Sequence, residues 1–398
     1  MPAAPRVVIA APLFNGGDHL AEALDSLLAQ TFPDLAVLLV DDRSTDGTVA
    51  LAQAHAARDP RVHVEVNERR LGMLHNTRKA LWRARELFPT AEFWALGSDH
   101  DVWDPRFLEV LVGLLDTHPE AVLAYPDPDR IDAAGSVYVG AKRPKGFSTL
   151  GIEDPGRRLD LSFRDMAAGS MIYGLFRLAA LEHVPFYRPV LLPDRLFLSE
   201  LALRGPFVHA PEVLWQRRFR GLADLERQRR AFFLGEVPRY ARLPWWLQHT
   251  GAIALAYGVR GEGRDVGLRR ADGVALAARY LRLALALRGR RRWARAKRYM
   301  RSKMSPTRVA RRLLLGTFGP RAGAATRARL DRLESGPSTR WVATRVLRPG
   351  FERVAARVNG APATATPPSP PVAATLDAPA ERTDALGPLD VAQERPAP

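Results

Sequence analysis

Residues 7–48 read VVIAAPLFNGGDHLAEALDSLLAQTFPDLAVLLVDDRSTDGT. Two short runs rich in Val, Leu and Ala, 7–13 and 36–40, flank a stretch, 19–30, whose apolar residues recur at three- and four-residue spacing. Short continuous apolar runs are typical of strands buried on both faces, and apolar residues at three- and four-residue spacing are typical of an amphipathic helix. The stretch therefore predicts a strand, a helix and a second strand parallel to the first.

The same alternation continues to about residue 130. Further strands are predicted at Val62–Val66, Phe93–Leu96 and Ala121–Tyr125, and further helices at Thr48–Arg58, Met73–Phe88 and Arg106–Thr117. This alternation indicates an α/β fold with a mostly parallel sheet and helices on both faces. Ligands of such sheets bind at the carboxyl ends of the strands, so the loops that follow the strands contain the candidate site.

The loop after the second strand, Val40–Thr48, reads VDDRSTDGT. Its adjacent carboxylates, Asp41 and Asp42, lie where the sheet opens to solvent, and one of them can reach a nucleobase or a ribose. Ser44 or Asp46 suits the N-cap of the next helix. Each residue alone could merely cap the turn, but the whole string favours a binding loop.

The loop after the fourth strand, Gly97–Pro105, reads GSDHDVWDP. Asp99 and Asp101 can both approach one hard divalent cation, which prefers oxygen ligands and commonly keeps a phosphate as co-ligand. His100 is either a further ligand or an oriented neighbour. We expect Asp104 to initiate the following helix.

Together these loops resemble those of a known family. The opening strand with Pro12 and Asn15, the string Val40–Thr48, the segment Asn67–Asn76 (NERRLGMLHN) and the Asp99–Asp101 loop have its order and similar spacing. Residues 5–220 resemble the family 2 glycosyltransferases, inverting enzymes with the Rossmann-like GT-A fold that use a nucleotide-sugar donor. The family often has Asp-x-Asp-Asp-x-Trp, and this loop is one residue shorter, so the main metal ligand stays open between its two carboxylates.

The resemblance implies roles for individual residues. Asp42 would contact the nucleobase, and Asp99 and Asp101 would hold Mg²⁺ or Mn²⁺ against the donor diphosphate. The rest of the nucleotide-sugar pocket would comprise Pro12, Asn15, Asp41, Asn67 and Arg69, with Asp99 also at the donor.

An inverting transfer also needs a base for the acceptor hydroxyl, and a metal-bound aspartate serves poorly. The family places its base in a Glu-Asp pair that opens a helix before the last strand. Leu192–Leu196 (LPDRL) occupies that place, with Asp194 matching the base and Pro193 replacing the usual Glu. The alternative is that Asp194 is only a carboxylate favoured by the helix dipole.

Three residues are candidates for the acceptor side. Gly169 and Ser170 belong to a small-residue segment, Gly169–Gly174, that forms either the acceptor floor or a core strand with two turn glycines. Trp215 could stack on a sugar ring, although packing in the core is the commoner fate of such a residue. It begins the string WQRR where processive relatives carry Gln-x-x-Arg-Trp, so a long-chain polymerase is disfavoured.

Composition excludes several classes of protein. The chain of 398 residues has no cysteine, which excludes disulfide frameworks, thiolate zinc sites and cysteine nucleophiles. No run of about 18 or more apolar residues occurs. The first residues do not resemble a signal peptide. We therefore expect a cytoplasmic protein, with any membrane contact peripheral and on the inner face of the cell membrane.

The net charge of +16 is unevenly distributed. Residues 1–216 carry 22 Lys/Arg and 29 Asp/Glu, whereas residues 217–358 carry 35 and 9. Amphipathic helices expected at Ala275–Ala286 and Trp293–Met304, separated at Gly289, could lie on an anionic membrane surface. They could instead be solvated faces of a packing domain. Nucleic acid is disfavoured because no binding motif appears and the N-terminal unit is acidic.

The sequence thus predicts a GT-A domain at 1–220, a basic helical region at 221–358 and a disordered tail at 359–398 rich in Pro and Ala. The expected reaction is transfer of a sugar to a hydroxyl of a cell-envelope glycan or lipid-linked saccharide. Two alternatives are a nucleotide-sugar-binding scaffold that has lost catalysis and a sugar nucleotidyltransferase. The latter normally needs a basic phosphate loop after the first strand, and Asn15–Asp18 (NGGD) has no basic residue.

Overall fold

The computed structural model describes residues 4–138, 143–219 and 225–303, with the backbone alone given for Arg227 and residues 290–303. The chain divides into two compact units, residues 1–295 and 296–398, and only the first few residues of the second unit are described. The tail predicted at 359–398 lies outside the described residues, as does the basic region beyond residue 303.

The described chain forms one sheet of eight strands in the order β3-β2-β1-β4-β7-β6-β8-β5. The strands are β1 (Val7–Leu13), β2 (Leu35–Asp41), β3 (Val62–Val66), β4 (Phe93–Leu96), β5 (Val102–Trp103), β6 (Leu123–Ile131), β7 (Leu175–Arg177) and β8 (Phe207–Arg218). The first four that are neighbours in the sheet, β3, β2, β1 and β4, run parallel, and β7 pairs antiparallel with both β4 and β6. The predicted α/β fold with a mostly parallel sheet is confirmed.

Helices cover both faces of this sheet. The helices of the described chain are α1 (Gly17–Leu28), α2 (Thr48–Ala56), α3 (Met73–Leu87), α4 (Phe107–Thr117), α5 (Pro155–Asp165), α6 (Ala168–Met171), α7 (Pro193–Leu201), α8 (Leu225–Phe232), α9 (Trp245–Ile253) and α10 (Arg270–Lys303). A π-helical segment, Ala254–Arg260, continues α9. Among the helices described, none is both long enough and apolar enough to cross a bilayer.

The side chains of β1 alternate between two cores, as expected for a strand covered on both faces. Val8 and Ala10 belong to a core that also contains residues of α3 and α7. Val7 and Ile9 belong to another, with residues of α1 and α4. The central strand is thus fixed from both sides, and its carboxyl end opens at the loop that follows Leu13.

A third core joins the sheet region to the helices that follow it. Phe163 of α5 packs edge to face on Tyr280 of α10, with ring centroids 4.9 Å apart. The buried residues Ile253 and Tyr257 belong to the same cluster. The helices between residues 245 and 284 are therefore packed elements with a buried apolar side.

The predicted break at Gly289 is wrong. Helix α10 runs without interruption from Arg270 to Lys303 and so contains Ala275–Ala286 and the described part of Trp293–Met304. A single glycine costs a helix only about 1 kcal/mol relative to alanine, and strong helix formers flank it here.

Candidate active site

A cavity of about 290 Å³ opens at the carboxyl ends of β1 and β4. This edge of a parallel sheet is where ligands of α/β proteins bind. The lining residues include Pro12, Phe14, Asp42, Arg70, Asn76, Asp99, His100, Tyr173 and Tyr187. Three of the predicted nucleotide-site residues, Pro12, Asp42 and Asp99, are thereby brought to one cavity from three separate strand ends.

Asp42 is held rigidly at the cavity wall. Its carboxylate accepts hydrogen bonds from the backbone N–H groups of Leu71 (2.6 Å) and Gly72 (2.7 Å) and from Asn67 Nδ2 (3.0 Å). The side chain is only 2% exposed. The segment 67–76 therefore folds around this carboxylate, which explains why both parts of the sequence motif occur together.

Asn67 lies behind Asp42 in a buried polar network. Its Nδ2 also donates to Asn76 Oδ1 (2.9 Å), and its Oδ1 accepts from Lys79 Nζ (2.8 Å). Asn76 in turn donates to the carbonyl of Val40 (2.8 Å) at the end of β2. Asn67 is therefore placed to orient Asp42.

Asn15 and Asp41 shape the loop between β2 and α2. Asn15 has a left-handed backbone (φ 51°), and its Oδ1 accepts from the N–H of Thr45 (2.9 Å). Asp41 accepts from the N–H of Ser44 (2.8 Å) and from the Ser44 hydroxyl. Asn is one of the residues that tolerates this backbone conformation best, which gives Asn15 a structural reason beside its predicted binding role.

The predicted role of Arg69 stays a prediction. Arg69 is exposed, and the neighbouring Arg70 lines the cavity instead. The Arg70 guanidinium lies over the ring of Phe14, 3.8 Å from its centroid. Sequence reasoning named Arg69 and not its neighbour, because which of two adjacent arginines reaches a cavity depends on how the loop turns.

In the loop after β4, the two aspartates have different environments. Asp99 lines the cavity and contacts His100 Nδ1, and a Cβ atom on Gly16 would overlap its carboxylate. Asp101 is 1% exposed, and its Oδ1 accepts from the N–H of Arg218 (2.9 Å). His100 lies between them, with Nε2 3.7 Å from Asp101 Oδ1.

These residues fit a hard divalent cation in part. Asp99 offers a carboxylate and His100 an imidazole at the cavity, both of which suit Mn²⁺, and the carboxylate suits Mg²⁺. Within the described residues, no group of three or more His, Asp or Glu side chains could hold a metal ion. The described residues alone therefore supply too few ligands here, and an ion would need further oxygens, which a bound ligand can provide.

Arg218, the last residue of β8, connects that strand to the loop that follows β4. Although its side chain is buried, it donates to the carbonyls of His100 (2.8 Å), Asp132 (2.8 Å) and Ala133 (2.9 Å) and pairs with Glu22. Sequence reasoning missed this residue, which is one of many arginines. Its position at the end of the string WQRR gave no sign that its side chain is buried.

Asp194 stands at the first turn of α7, half-buried near the two cavity tyrosines. Its Oδ1 accepts from the N–H of Arg195 (2.9 Å), and burial raises its pKa above the usual value. Burial also raises the pKa of Tyr173 and Tyr187, and the charge of Asp194 adds to both shifts. The candidate base and the cavity are therefore neighbours.

The predicted acceptor-side residues divide into two groups. A Cβ atom on Gly169 would lie 3.7 Å from Asp194 Oδ2 and 3.4 Å from Arg217 Nη1, so this glycine lies beside the candidate base. Ser170 is next to it on α6 and half-buried. Trp215 is 1% exposed and stacks on Tyr173 with centroids 4.7 Å apart. Trp215 is therefore packed in the core, which was the alternative to stacking on a sugar ring.

Comparison with known proteins agrees with this geometry. The sequence profile described as "Glycosyl transferase family 2" matches residues 8–173, which include the cavity residues from Pro12 to Tyr173. These residues belong to glycosyltransferase family 2.

Related proteins match this chain over short lengths. The protein y4gI of Sinorhizobium fredii is 32% identical over 134 residues, which are 33% of this chain and 14% of y4gI. The glycosyltransferase TuaG of Bacillus subtilis, provisionally named for teichuronic acid biosynthesis, is 36% identical over 105 residues, 26% of this chain and 40% of TuaG. The chain thus spans less than half the length of either relative.

A solved structure extends the likeness beyond the family 2 region. Residues 1–349 of TarS from S. aureus, crystallised in complex with UDP-GlcNAc, align with a TM-score of 0.50 and 17% identity. The alignment covers 71% of this chain and 73% of that one. At this identity the match concerns the fold alone.

Proposed function

We propose that this protein is an inverting, metal-dependent glycosyltransferase that moves a sugar from a nucleoside diphosphate donor to an acceptor hydroxyl. One observation carries the proposal. Asp42 and Asp99 line a single cavity at the carboxyl edge of the sheet, and the tyrosines of its wall are neighbours of a third carboxylate, the half-buried Asp194. A donor site and a proton acceptor therefore lie side by side.

The donor nucleotide would lie between Asp42 and the Phe14–Arg70 pair. Asp42, fixed by three N–H donors, is a rigid acceptor for the polar edge of a nucleobase. Phe14 is 37% exposed and its ring lies under Arg70, so it offers an apolar surface beside a positive charge. Such a combination suits a flat base and a phosphate.

The diphosphate would lie against Asp99 and His100, which would hold Mg²⁺ or Mn²⁺ together with phosphate oxygens. Such an ion neutralises the charge of a departing diphosphate. The close packing of Asp99 on Gly16 keeps the carboxylate at the cavity, since any larger residue at position 16 would displace it. Asp101, turned toward Arg218, would orient His100.

Asp194 would act as the general base. It takes the proton of the acceptor hydroxyl as that oxygen forms the new bond to the sugar's anomeric carbon. The bond from that carbon to the diphosphate oxygen breaks, and its electron pair leaves with the nucleoside diphosphate. A carboxylate whose pKa is raised by burial accepts a proton more readily than an exposed one.

The acceptor would be a cell-envelope glycan or a lipid-linked saccharide. The name of TuaG supports this class, because 105 residues of this chain are 36% identical to a segment of that protein. The match covers only 40% of TuaG, so the acceptor class is inferred from the shared segment alone.

Binding of a nucleotide panel tests the donor site. UDP, GDP, dTDP and CDP would be titrated calorimetrically with and without Mn²⁺. We expect one diphosphate to bind in a metal-dependent way and Asp99→Ala to weaken it about tenfold or more. Glu68→Gln, an exposed carboxylate near the cavity loop, is the matched control and should bind as the unsubstituted protein does. Binding of none of the four by folded protein would overturn the proposal.

The helices after residue 240 support a peripheral position on an anionic membrane. Leu247, Leu255 and Val259 recur at eight- and four-residue spacing along α9 and its π-helical continuation, and Leu243 lies just before α9. These four side chains, which we call the stripe, are 38%, 46%, 63% and 46% exposed, respectively. The exposed arginines Arg239, Arg242 and Arg260 flank this stripe. Apolar side chains beside basic ones are typical of helices that lie in a membrane interface.

Vesicle sedimentation tests this position. The protein should sediment with vesicles of phosphatidylglycerol and phosphatidylcholine, and less with phosphatidylcholine alone. A Leu247→Glu, Leu255→Glu variant should lose most of that binding because it places charges on the stripe. Trp82→Glu, which changes an exposed apolar residue of α3, is the control. Equal sedimentation of the stripe variant and the control would contradict the assignment.

A further inference from the structure

The turn that leads into Asp194 has an unusual backbone. Leu192 adopts a left-handed conformation (φ 54°, ψ 50°), and α7 begins at the next residue, Pro193. L-residues with a branched side chain rarely adopt this conformation unless their surroundings hold them in it. Asp194 is the second residue of α7, so the direction in which its side chain points depends on this turn.

The turn is held by side chains from elements much later in the chain. The N–H of Leu192 donates to Gln228 Oε1 of α8 (3.0 Å). The N–H of Leu191 donates to Gln248 Oε1 of α9 (3.0 Å), and its carbonyl accepts from His249 Nε2 (2.6 Å). Three polar side chains therefore bind three consecutive backbone groups of this turn.

The anchoring side chains are themselves fixed. Gln248 Nε2 donates to the carbonyl of Leu243 (2.6 Å). Since the Leu191 carbonyl can only accept, His249 carries its hydrogen on Nε2, and its Nδ1 accepts from the Tyr280 hydroxyl (2.6 Å). Burial lowers the pKa of His249 to about 3, so the ring is neutral. The chain of contacts runs from α10 through α9 to the turn.

We propose that Gln228, Gln248 and His249 are positioning residues that hold the Leu191–Leu192 turn so that Asp194 faces the acceptor side of the cavity. The inference rests on the proposed function, in which Asp194 is the base. It assigns α8, α9 and α10 a part in the reaction beyond their packing: they fix the geometry of a proton transfer. A displacement of a catalytic group by about 1 Å can lower a rate about 100-fold.

A matched pair of variants at Gln228 tests the proposal, since this residue is half-buried and its change should leave the fold intact. Gln228→Met removes the acceptor for the Leu192 N–H at similar length, whereas Gln228→Glu keeps it. Turnover would be measured as hydrolysis of UDP-glucose, UDP-N-acetylglucosamine and GDP-mannose in the presence of Mn²⁺. Hydrogen exchange of the Leu191 and Leu192 amides would be followed in the same full-length proteins.

We expect Gln228→Met to lower kcat about 10- to 100-fold with KM unchanged within about twofold, and Gln228→Glu to restore most of the rate. Amide exchange at Leu192 should accelerate in the Met variant only. Equal turnover of the Met variant and the unsubstituted protein, or unchanged exchange at Leu192, would overturn the positioning role. No turnover by the unsubstituted protein with any of the three donors would instead count against the proposed function.

Discussion

Two carboxylates of the proposed active site are held in opposite ways. Asp42 is almost fully buried and accepts three N–H hydrogen bonds, two of them from consecutive backbone amides. Asp194 is half-buried, accepts from the amide of the next residue and lies near two tyrosines, and burial raises its pKa. A carboxylate bound by several N–H groups is a fixed acceptor, whereas one in an apolar environment is suited to take up a proton. The difference predicts separate tasks for the donor side and the acceptor side.

The largest effect is expected at Asp194. Asp194→Asn keeps the size and the hydrogen bond to Arg195 but cannot act as a base, so kcat should fall about 10²- to 10⁴-fold. Nucleotide affinity should stay unchanged, because Asp42 and Asp99 are untouched. Donor hydrolysis and calorimetry measure the two quantities. The control is Asp165→Asn, which changes an exposed carboxylate at the end of α5. A scaffold without catalysis would show no difference between these variants.

A smaller effect is expected on the donor side. Asp42→Ala leaves the N–H groups of Leu71 and Gly72 without their acceptor and should lower the free energy of unfolding by about 1 to 3 kcal/mol. Nucleotide affinity should fall as well, by about tenfold. Urea denaturation and nucleotide titration measure both. The comparison between the two carboxylates would fail if Asp42→Ala lowered kcat alone and left binding and stability intact.

The first half of the fold could be predicted from sequence almost residue by residue. The bounds of β1, β3 and β4 match the apolar runs, because strands covered on both faces leave continuous apolar segments between turn residues. The same reasoning placed Asp42 and Asp99 at strand ends. It could not show that the amides of 71–72 close around Asp42, since such bonds depend on the path of a loop.

The second half escaped prediction for a physical reason. Two of the anchors of the Asp194 turn are glutamines, Gln228 in the Arg-rich helix α8 and Gln248 in the largely apolar helix α9, and neither belongs to a recognisable local pattern. Their role depends on contacts between elements far apart in the chain. Gly16 is different. Asp99 leaves no space for a side chain at position 16, and the two successive glycines after β1 could have suggested such a close contact.

The smallest effect concerns stability and pH. Burial raises the pKa of Asp194 above its ordinary 3.8, although Arg195 and Arg217 oppose the shift, so the folded protein binds this proton more tightly than the unfolded chain. The resulting stability is present below 3.8 and is lost as the pH rises through the folded-state pKa. At about pH 7 the ionised carboxylate therefore costs stability that asparagine does not.

Asp194→Asn should accordingly raise the melting temperature at about pH 7, and the gain should shrink toward about pH 4. Each unit of pKa shift corresponds to about 1.4 kcal/mol, which makes this gain small beside the loss of activity. The acid limb of kcat/KM should also lie at higher pH than for an ordinary aspartate, because the base must be ionised to act. A melting temperature that falls at neutral pH would mean that the Asp194 charge stabilises the fold, and the contrast with Asp42 would then be lost.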